Sequence, residues 1–249
     1  MPGSLPLTGE RTVPGIAAEN YWLRRHEAAY RLALPYCRGA RVVEAGCGEG
    51  YGAALVAGVA RAVLAMDYDL LAASHAARRY RQLCVIRANL VALPVATASV
   101  DVVVGLQVIE HLWDQPRFLA ECARVLRSGG TLILSTPNRL TFSPGWIPGT
   151  PPLNPFHTRE LAASELTALL PPTFHLCDLR GLKHGARLHE LDARYGGLVA
   201  AQLTTTADRW PATLLADVSA VQAADFVTTD DDVDTALDLL LVARRRSRS

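Results

Sequence analysis

RVVEAGCGEGYGAALVAGVARAVLAMD, residues 41–67, reads as strand, glycine-rich bend, helix and second strand. Arg41 to Glu44 is a short β-branched and apolar run ending on an acid, and Gly46, Gly48, Gly50 and Gly52 then put a glycine at every second position. Such a bend exposes bare backbone to a ligand, because glycine adopts angles that a Cβ forbids, and amides at the start of the following helix can face it. Ala53 to Arg61 has alanine and leucine at helical density, and Ala62 to Met66 is a second buried-type strand closed by Asp67.

A dinucleotide fingerprint wants glycine at the first, third and sixth places of the bend. Counting from Gly46, the sixth place is Tyr51, which argues against NAD. The acid at Glu44 followed by the run EAGCGEG instead resembles motif I of the class I S-adenosylmethionine-dependent methyltransferases. The resemblance implies that the loop amides hold the methionine part of S-adenosyl-L-methionine and that Asp67 takes both ribose hydroxyls. Extended along the chain, it assigns Glu44, Ala45, Gly46, Cys47, Gly48, Asp67, Tyr68, Asn89, Leu90 and Gln107 to the cofactor. Relatives usually carry aspartate where Asn89 stands, and asparagine keeps a carbonyl acceptor for the adenine amino group.

The 249 residues suit one α/β domain with appendages. The expected divisions are an N-terminal arm and cap helix (1–38), a cofactor-binding half (39–139) and an acceptor-side half (140–249) with a helical insertion at about 183–224. Half of the residues are hydrophobic, so a sizeable core is available. A net charge of +1 gives no reason to expect nucleic acid as a partner. The five cysteines lack paired spacing, which suggests reduced thiols in a cytoplasmic protein. No apolar run approaches the ~20 residues needed to span a bilayer, and the N-terminus has no signal-peptide pattern. A monomer or homodimer without stable membrane insertion is expected.

Met1 to Gly15 reads as an extended arm and 17–35 as a helix with an apolar face of Tyr21, Trp22, Ala28, Ala29 and Leu32. That helix is either packing against the sheet or a lid setting Tyr21, Trp22 or an arginine over the cofactor. Residues 68–81 read as a helix with His75 on its surface, and Leu83 to Arg87 as a third strand. Ser99 to Leu106 is a continuous apolar strand of the kind buried on both faces of a parallel sheet, and Thr131 to Ser135 is a fifth strand. A proline-rich loop at 140–154 precedes a helix over 155–170 with Thr158 as its cap, then strands at 174–182, 225–229 and 236–244. The acidic turn 230–234 and the basic tail 244–249 read as solvated. Strands alternating with helices mean parallel strands with helices on both faces. The resemblance implies a Rossmann-like class I methyltransferase fold, a mostly parallel seven-stranded sheet with an N-terminal helical cap and a helical insertion before the last strands. Gly46, Asp67, Asn89, Gln107 and His111 fall at carboxyl ends of strands, where ligands of such sheets bind.

Methyl transfer to a hydroxyl needs alignment and a base or a metal. Glu110 and His111 follow the fourth strand, and His157 precedes the later helix; His111 or His157 is the candidate base, with Glu110 orienting it or holding a metal. His184 and His189 are lesser candidates. The run Gln107 to His111 resembles the E-x-x-E-H segment of ubiquinone-type O-methyltransferases, which can bind a divalent cation, with glutamine replacing the first acid. An incomplete Mg2+ site at Glu110 and His111, with His157 as a third ligand, is the corresponding expectation. The segments LTGERTVP, AENYWLRRHEAAY, QVIEHLWDQPRFLAECARVLR, STPNRLTFSP, LNPFHTREL and LHELDARYGG together resemble the mycobacterial methyltransferases of methylglucose lipopolysaccharide synthesis. That resemblance implies O-methylation of a sugar hydroxyl in a partly methylated polysaccharide. Trp113, Phe142, Trp146 and Tyr195 are then candidates for stacking on sugar faces, or simply packing residues. The alternatives are a small-molecule acceptor such as a quinone or phenol, a catalytically silent cofactor-binding protein, and, last, a nicotinamide oxidoreductase.

Overall fold

A computed structural model describes residues 11–147 and 149–247, so the first ten residues of the expected arm and the end of the basic tail lie outside the described residues. The chain folds as α1 (Asn20–Cys37), β1 (Arg41–Ala45), α2 (Tyr51–Ala57), β2 (Ala62–Asp67), α3 (Leu70–Arg79), β3 (Cys84–Arg87) and β4 (Val100–Leu106). It continues as α4 (Gln115–Val125), β5 (Leu126–Pro137), α5 (Arg139–Phe142), α6 (Ala163–Leu169) and β6 (Phe174–His184). The last elements are α7 (Ala186–Tyr195), α8 (Leu198–Leu203), α9 (Ala212–Ser219), β7 (Phe226–Thr229) and β8 (Asp238–Arg245).

The strands form one sheet in the order β3-β2-β1-β4-β5-β8-β6-β7. The sheet has eight strands where seven were expected; the strand expected at 225–229 is present as β7 (Phe226–Thr229), a four-residue edge strand antiparallel to residues 181–184 of β6. The first five strands in that order are parallel, and β8 runs antiparallel between β5 and β6. Register places the site. Arg41 pairs with Ala62 and Ala45 with Met66, so β1 and β2 end side by side and the glycine bend leaves β1 next to Asp67.

Each sheet face carries its own apolar core. On one, Tyr21, Ala29 and Ala33 of α1 pack with Ala53, Val56, Leu188 and Val218; on the other, Phe118, Leu119 and Leu166 pack with Val103, Leu132 and Leu134. The expected helix over 155–170 is shorter, beginning at Ala163. Thr158 is not its cap: its Oγ1 donates to the carbonyls of Glu110 and Leu112, 3.0 and 2.7 Å away, tying this segment to the end of β4. Glu165 instead accepts from the Ala162 N–H at 2.8 Å.

One of the α1 arginines is inside. Arg25, 3 % exposed, forms a two-pronged pair with Asp238 at 2.6 Å for each bond, joining the cap helix to β8. Removing one partner of a buried pair strands the other charge, at a cost of about 3–5 kcal/mol. Arg25→Met is therefore expected to lower urea-unfolding stability by that order, whereas Arg31→Met, whose side chain is 63 % exposed in its pair with Glu27, changes it by no more than about 1 kcal/mol. Equal effects of the two substitutions contradict this account.

Candidate functional site

Two chambers open at the carboxyl ends of the parallel strands. The larger, about 420 Å³, is lined among others by Gly46, Cys47, Gly48, Asp67, Tyr68, Asn89, Leu90 and Gln107. The smaller, about 230 Å³, is lined by Glu110, His111, Phe142, Asn154 and His157, with Trp22 and Arg25 from α1. Arg11, Thr12, His26, Gln107 and His111 line both.

The glycine bend is clamped onto the end of β2. The N–H groups of Gly46 and Cys47 both donate to the Met66 carbonyl at 2.8 Å, and Gly48 N–H donates to Asp67 Oδ2 at 2.8 Å. Those amides, expected to face a ligand, are thus donors inside the protein, and the loop offers the chamber mainly its bare backbone surface. Gly46 is required twice over, by its φ of +78° and because a Cβ there would lie 2.4 Å from Val108 Cγ2. Asp67 Oδ1 accepts from Asp69 N–H at 2.9 Å, so each carboxylate oxygen keeps a lone pair for the chamber. Burial raises the Asp67 carboxyl above the usual range, opposed by these N–H bonds and by the Arg11 charge.

Glu44 and Ala45 do not line either chamber. Glu44 lies beneath the bend, 1 % exposed, where Oε1 accepts from the Tyr30 hydroxyl at 2.5 Å and Oε2 has no hydrogen-bond partner among the described residues. Burial pushes its carboxyl up to about 8. The Tyr30 ring reaches it across Gly52, where a Cβ would lie 2.0 Å from Tyr30 Cζ. Glu49, one turn of the bend later, is held by His75 at 2.9 Å and the Tyr80 hydroxyl at 2.7 Å. His75 is therefore not the free surface residue its sequence neighbours suggest; its partner lies 26 positions away. Asn89 Oδ1, the acceptor expected to read adenine, already takes the Val91 N–H at 3.1 Å and has one lone pair left.

Gln107 leaves β4 with a φ of +55°, a conformation uncommon for residues other than glycine, held by Gln107 N–H to the Ser135 carbonyl at 2.9 Å and Gln107 Nε2 to Ser135 Oγ at 3.1 Å. The following turn, Ile109 to His111, turns Glu110 inward and His111 toward both chambers. Glu110 is 1 % exposed, accepts from the Thr136 hydroxyl at 3.0 Å, and is raised above the usual range by burial, partly offset by His111 and His157. His111 Nδ1 is 2.9 Å from the Phe156 carbonyl, which can only accept, so the neutral ring carries its proton on Nδ1 and leaves Nε2 as a lone pair. His157 has both nitrogens engaged: Nδ1 donates to Glu160 at 2.6 Å, and Nε2 lies 3.1 Å from the Asn154 amide nitrogen.

Ligand atoms of Glu110, His111 and His157 lie within 4.8 Å of one another. One carboxylate and two imidazoles can hold a divalent cation. Mg2+ at such a set would draw one oxygen from it and depend on water for most of its octahedron. Gln107, at the place of the first acid in the ubiquinone-type segment, is bonded to Ser135.

The other candidates separate. Phe142 lines the smaller chamber, with its ring 5.5 Å from that of His157, and the 74 %-exposed Trp113 stands at the larger one. Trp146 lines neither and carries Arg139 over its ring, while Tyr195 hydrogen-bonds Asp217 at 2.6 Å. His184 is held by Asp192 at 2.5 Å and the Tyr21 hydroxyl at 2.7 Å, and neither it nor His189 lines a chamber. His26 escapes the sequence reading. Its signal is the spacing Trp22, His26, Tyr30, one residue per turn on the α1 face toward the chambers.

Residues 43–134 match the methyltransferase domain family. A protein of Mycolicibacterium smegmatis named "probable S-adenosylmethionine-dependent methyltransferase" is 54% identical over 252 residues, covering 98% of this chain and 97% of its own. The chain belongs to the S-adenosylmethionine-dependent methyltransferases. A ubiquinone biosynthesis O-methyltransferase of Parvibaculum lavamentivorans is 32% identical over 103 residues, 40% of this chain and 41% of its own. In fold, the chain resembles an S-adenosylmethionine-dependent methyltransferase from Mesorhizobium loti, with a TM-score of 0.58 at 19% identity, over 89% of this chain and 98% of that one. S-adenosylmethionine is thus the methyltransferase's cofactor, and the carboxylate of Asp67 with the glycine surface beside it fits the larger chamber to a sulfonium nucleoside. Among the described residues no helix is long and apolar enough to cross a membrane.

Two measurements check the chamber. Asp67→Ala is expected to weaken S-adenosylhomocysteine binding by calorimetry about 100-fold or more, the loss of two hydrogen bonds to a charged acceptor; a change below about fivefold removes Asp67 from the ribose. Glu44 tests linkage. Its carboxyl binds a proton more tightly in the folded state, so the stability it contributes is complete below its ordinary pKa of 4.5 and is lost as pH rises through about 8. Wild-type unfolding stability should therefore fall across that window relative to Glu44→Gln; parallel pH profiles for the two proteins contradict a raised carboxyl.

Proposed function

We propose that this methyltransferase acts on oxygen, and that its acceptor is a sugar hydroxyl of a partly methylated polysaccharide of the methylglucose lipopolysaccharide type. The observation that carries the oxygen assignment is His111: it lines both chambers with Nδ1 fixed on the Phe156 carbonyl and Nε2 unprotonated in the neutral ring. When bound, S-adenosylmethionine supplies a methyl group on sulfur, which keeps the electron pair of the C–S bond as the O–C bond forms. His111 Nε2 takes the proton of the attacking hydroxyl. Glu110, buried beside it, stabilises the imidazolium that results. His157 is the weaker candidate for base, because its Nε2 must first release Asn154. A divalent cation would instead occupy His111 Nε2 together with Glu110, with His157 completing the set only on releasing Asn154 or Glu160; it would make the hydroxyl more acidic in place of His111 acting as base.

The sugar assignment draws support from the lining of the smaller chamber, which combines the aromatic residues Trp22 and Phe142 with the polar Glu19, Asn154 and His157. A sugar presents both C–H faces and hydroxyls, which suit a lining of that mixed kind. A quinone or phenol acceptor is the second reading, favoured by the local similarity to the ubiquinone-pathway relative.

The test is incubation with methyl-labelled cofactor and a panel of gluco-oligosaccharides and phenols, with and without EDTA, followed by mass spectrometry of the products. A methyl ether on sugar is expected; label found only on phenols rejects the carbohydrate reading, and label only on nitrogen rejects both. His111→Ala should lower kcat by about 10²- to 10⁴-fold, the range of general-base catalysis, with S-adenosylhomocysteine affinity held within about fivefold. Retained turnover excludes His111 as the base.

A further inference from the structure

His26 sits on α1 where the two chambers meet, and its ring is oriented from behind. Nδ1 lies 3.0 Å from the Tyr51 hydroxyl, which in turn lies 3.2 Å from Thr12 Oγ1. Nε2 has no hydrogen-bond partner among the described residues. Burial depresses the imidazole to about 4, with Arg25 and His111 adding to the effect against the pull of Asp238. The ring is therefore neutral at pH 7, a poor base, and carries one N–H and one lone pair. Because the Tyr51 hydroxyl can either donate or accept, Nε2 can present whichever of the two a ligand requires.

His111 is built the same way. One nitrogen is anchored on protein, the other is unpartnered among the described residues, and the ring borders both chambers. Removing a proton from the reacting hydroxyl takes one such group. A second, neutral and weakly basic, has nothing to do for that proton, but it can bind a hydroxyl beside it. Its freedom in proton placement suits a hydroxyl, which also donates and accepts.

We propose that His26 Nε2 hydrogen-bonds the hydroxyl adjacent to the one that is methylated, so that the smaller chamber selects acceptors with two neighbouring hydroxyls. Tyr51 is the positioning residue that holds the ring for this contact. The inference rests on the smaller chamber being the acceptor site of an O-methyltransferase, and it names the acceptor class, a vicinal diol, whichever carbon skeleton bears it. A histidine that merely fills space between helices needs no such selectivity.

The test compares matched acceptors: methyl α-glucopyranoside against its 2-deoxy and 3-deoxy analogues, and catechol against phenol, with labelled S-adenosylmethionine. Wild type is expected to favour a diol about tenfold or more in kcat/KM, the scale of one directed hydrogen bond together with the polar group left unpaired when it is missing. His26→Ala should erase the preference to within about twofold through KM, leaving kcat within about threefold. His26→Asn, which keeps a donor and an acceptor, should restore part of it, and Tyr51→Phe should fall between. Melting temperature and far-UV circular dichroism verify that each variant is folded, and His26→Asn carries the comparison if His26→Ala is not. A wild type without the preference, a preference undiminished by the substitutions, or a loss confined to kcat overturns the proposal. If wild type methylates none of the probes, the same pairs are titrated into the S-adenosylhomocysteine complex. Binding without a His26-dependent diol preference overturns this inference alone; no binding of any probe overturns the acceptor-site reading beneath it as well.

Discussion

The hydrogen bond from Tyr30 to Glu44 is the contact on which the rest of the site depends. It is made in the interior, between the cap helix and the strand that feeds the glycine bend, and it passes across Gly52 where no side chain can stand. A carboxyl taken so far from water is costly to ionise, and one of its oxygens has no hydrogen-bond partner among the described residues. What the arrangement secures is register. With Tyr30 fixed below the bend, the helical repeat sets His26 one turn back at the junction of the chambers and Trp22 two turns back in the smaller one.

A second buried contact fixes the other end of the same helix. Arg25 and Asp238 join α1 to β8, so the cap helix is bound both to the parallel half of the sheet and to its antiparallel half. The larger chamber belongs to the first of these, while the smaller chamber takes residues from β5, α5 and the segment before α6. Alignment of donor and acceptor depends on how rigidly these parts are held together, since small misplacements are expensive in an in-line displacement. The hydrogen bonds of Thr158 to the backbone at Glu110 and Leu112 hold His157 beside His111 for the same reason.

The larger chamber was largely legible because its signals are local. Glycines at fixed places, an acid closing a strand, and alternation of strands with helices follow from short-range geometry, and Gly46, Gly48, Asp67 and Gln107 all stand at the larger chamber. Glu44 was legible as a marker of the motif but not as a group beneath the loop, because whether a carboxylate at a strand end faces a ligand or the interior depends on what packs below. The smaller chamber was only half legible. His111 and His157 were recognisable as candidates, yet which of them has a free nitrogen depends on Phe156, Asn154 and Glu160 in the folded chain. His26 went unremarked among the aromatics and arginines of an ordinary amphipathic helix. The strand at 225–229 was legible, whereas its pairing with the far end of β6 was not, because no periodicity announces a strand's partner.

By itself the amino-acid sequence determined the order of strands and helices, the glycine bend, the acid that closes β2 and the membership in a methyltransferase family, because each depends on residue types at short, fixed separations. Tertiary structure alone decided which polar groups are spent inside the protein and which remain open to a ligand. The amides of Gly46 to Gly48 are taken by β2, His75 by Glu49 and His157 by its neighbours, whereas His26 and His111 each keep one nitrogen. The reason is physical: a hydrogen-bonding group's availability is set by what lies within about 3 Å of it in space, and those neighbours are brought there by packing.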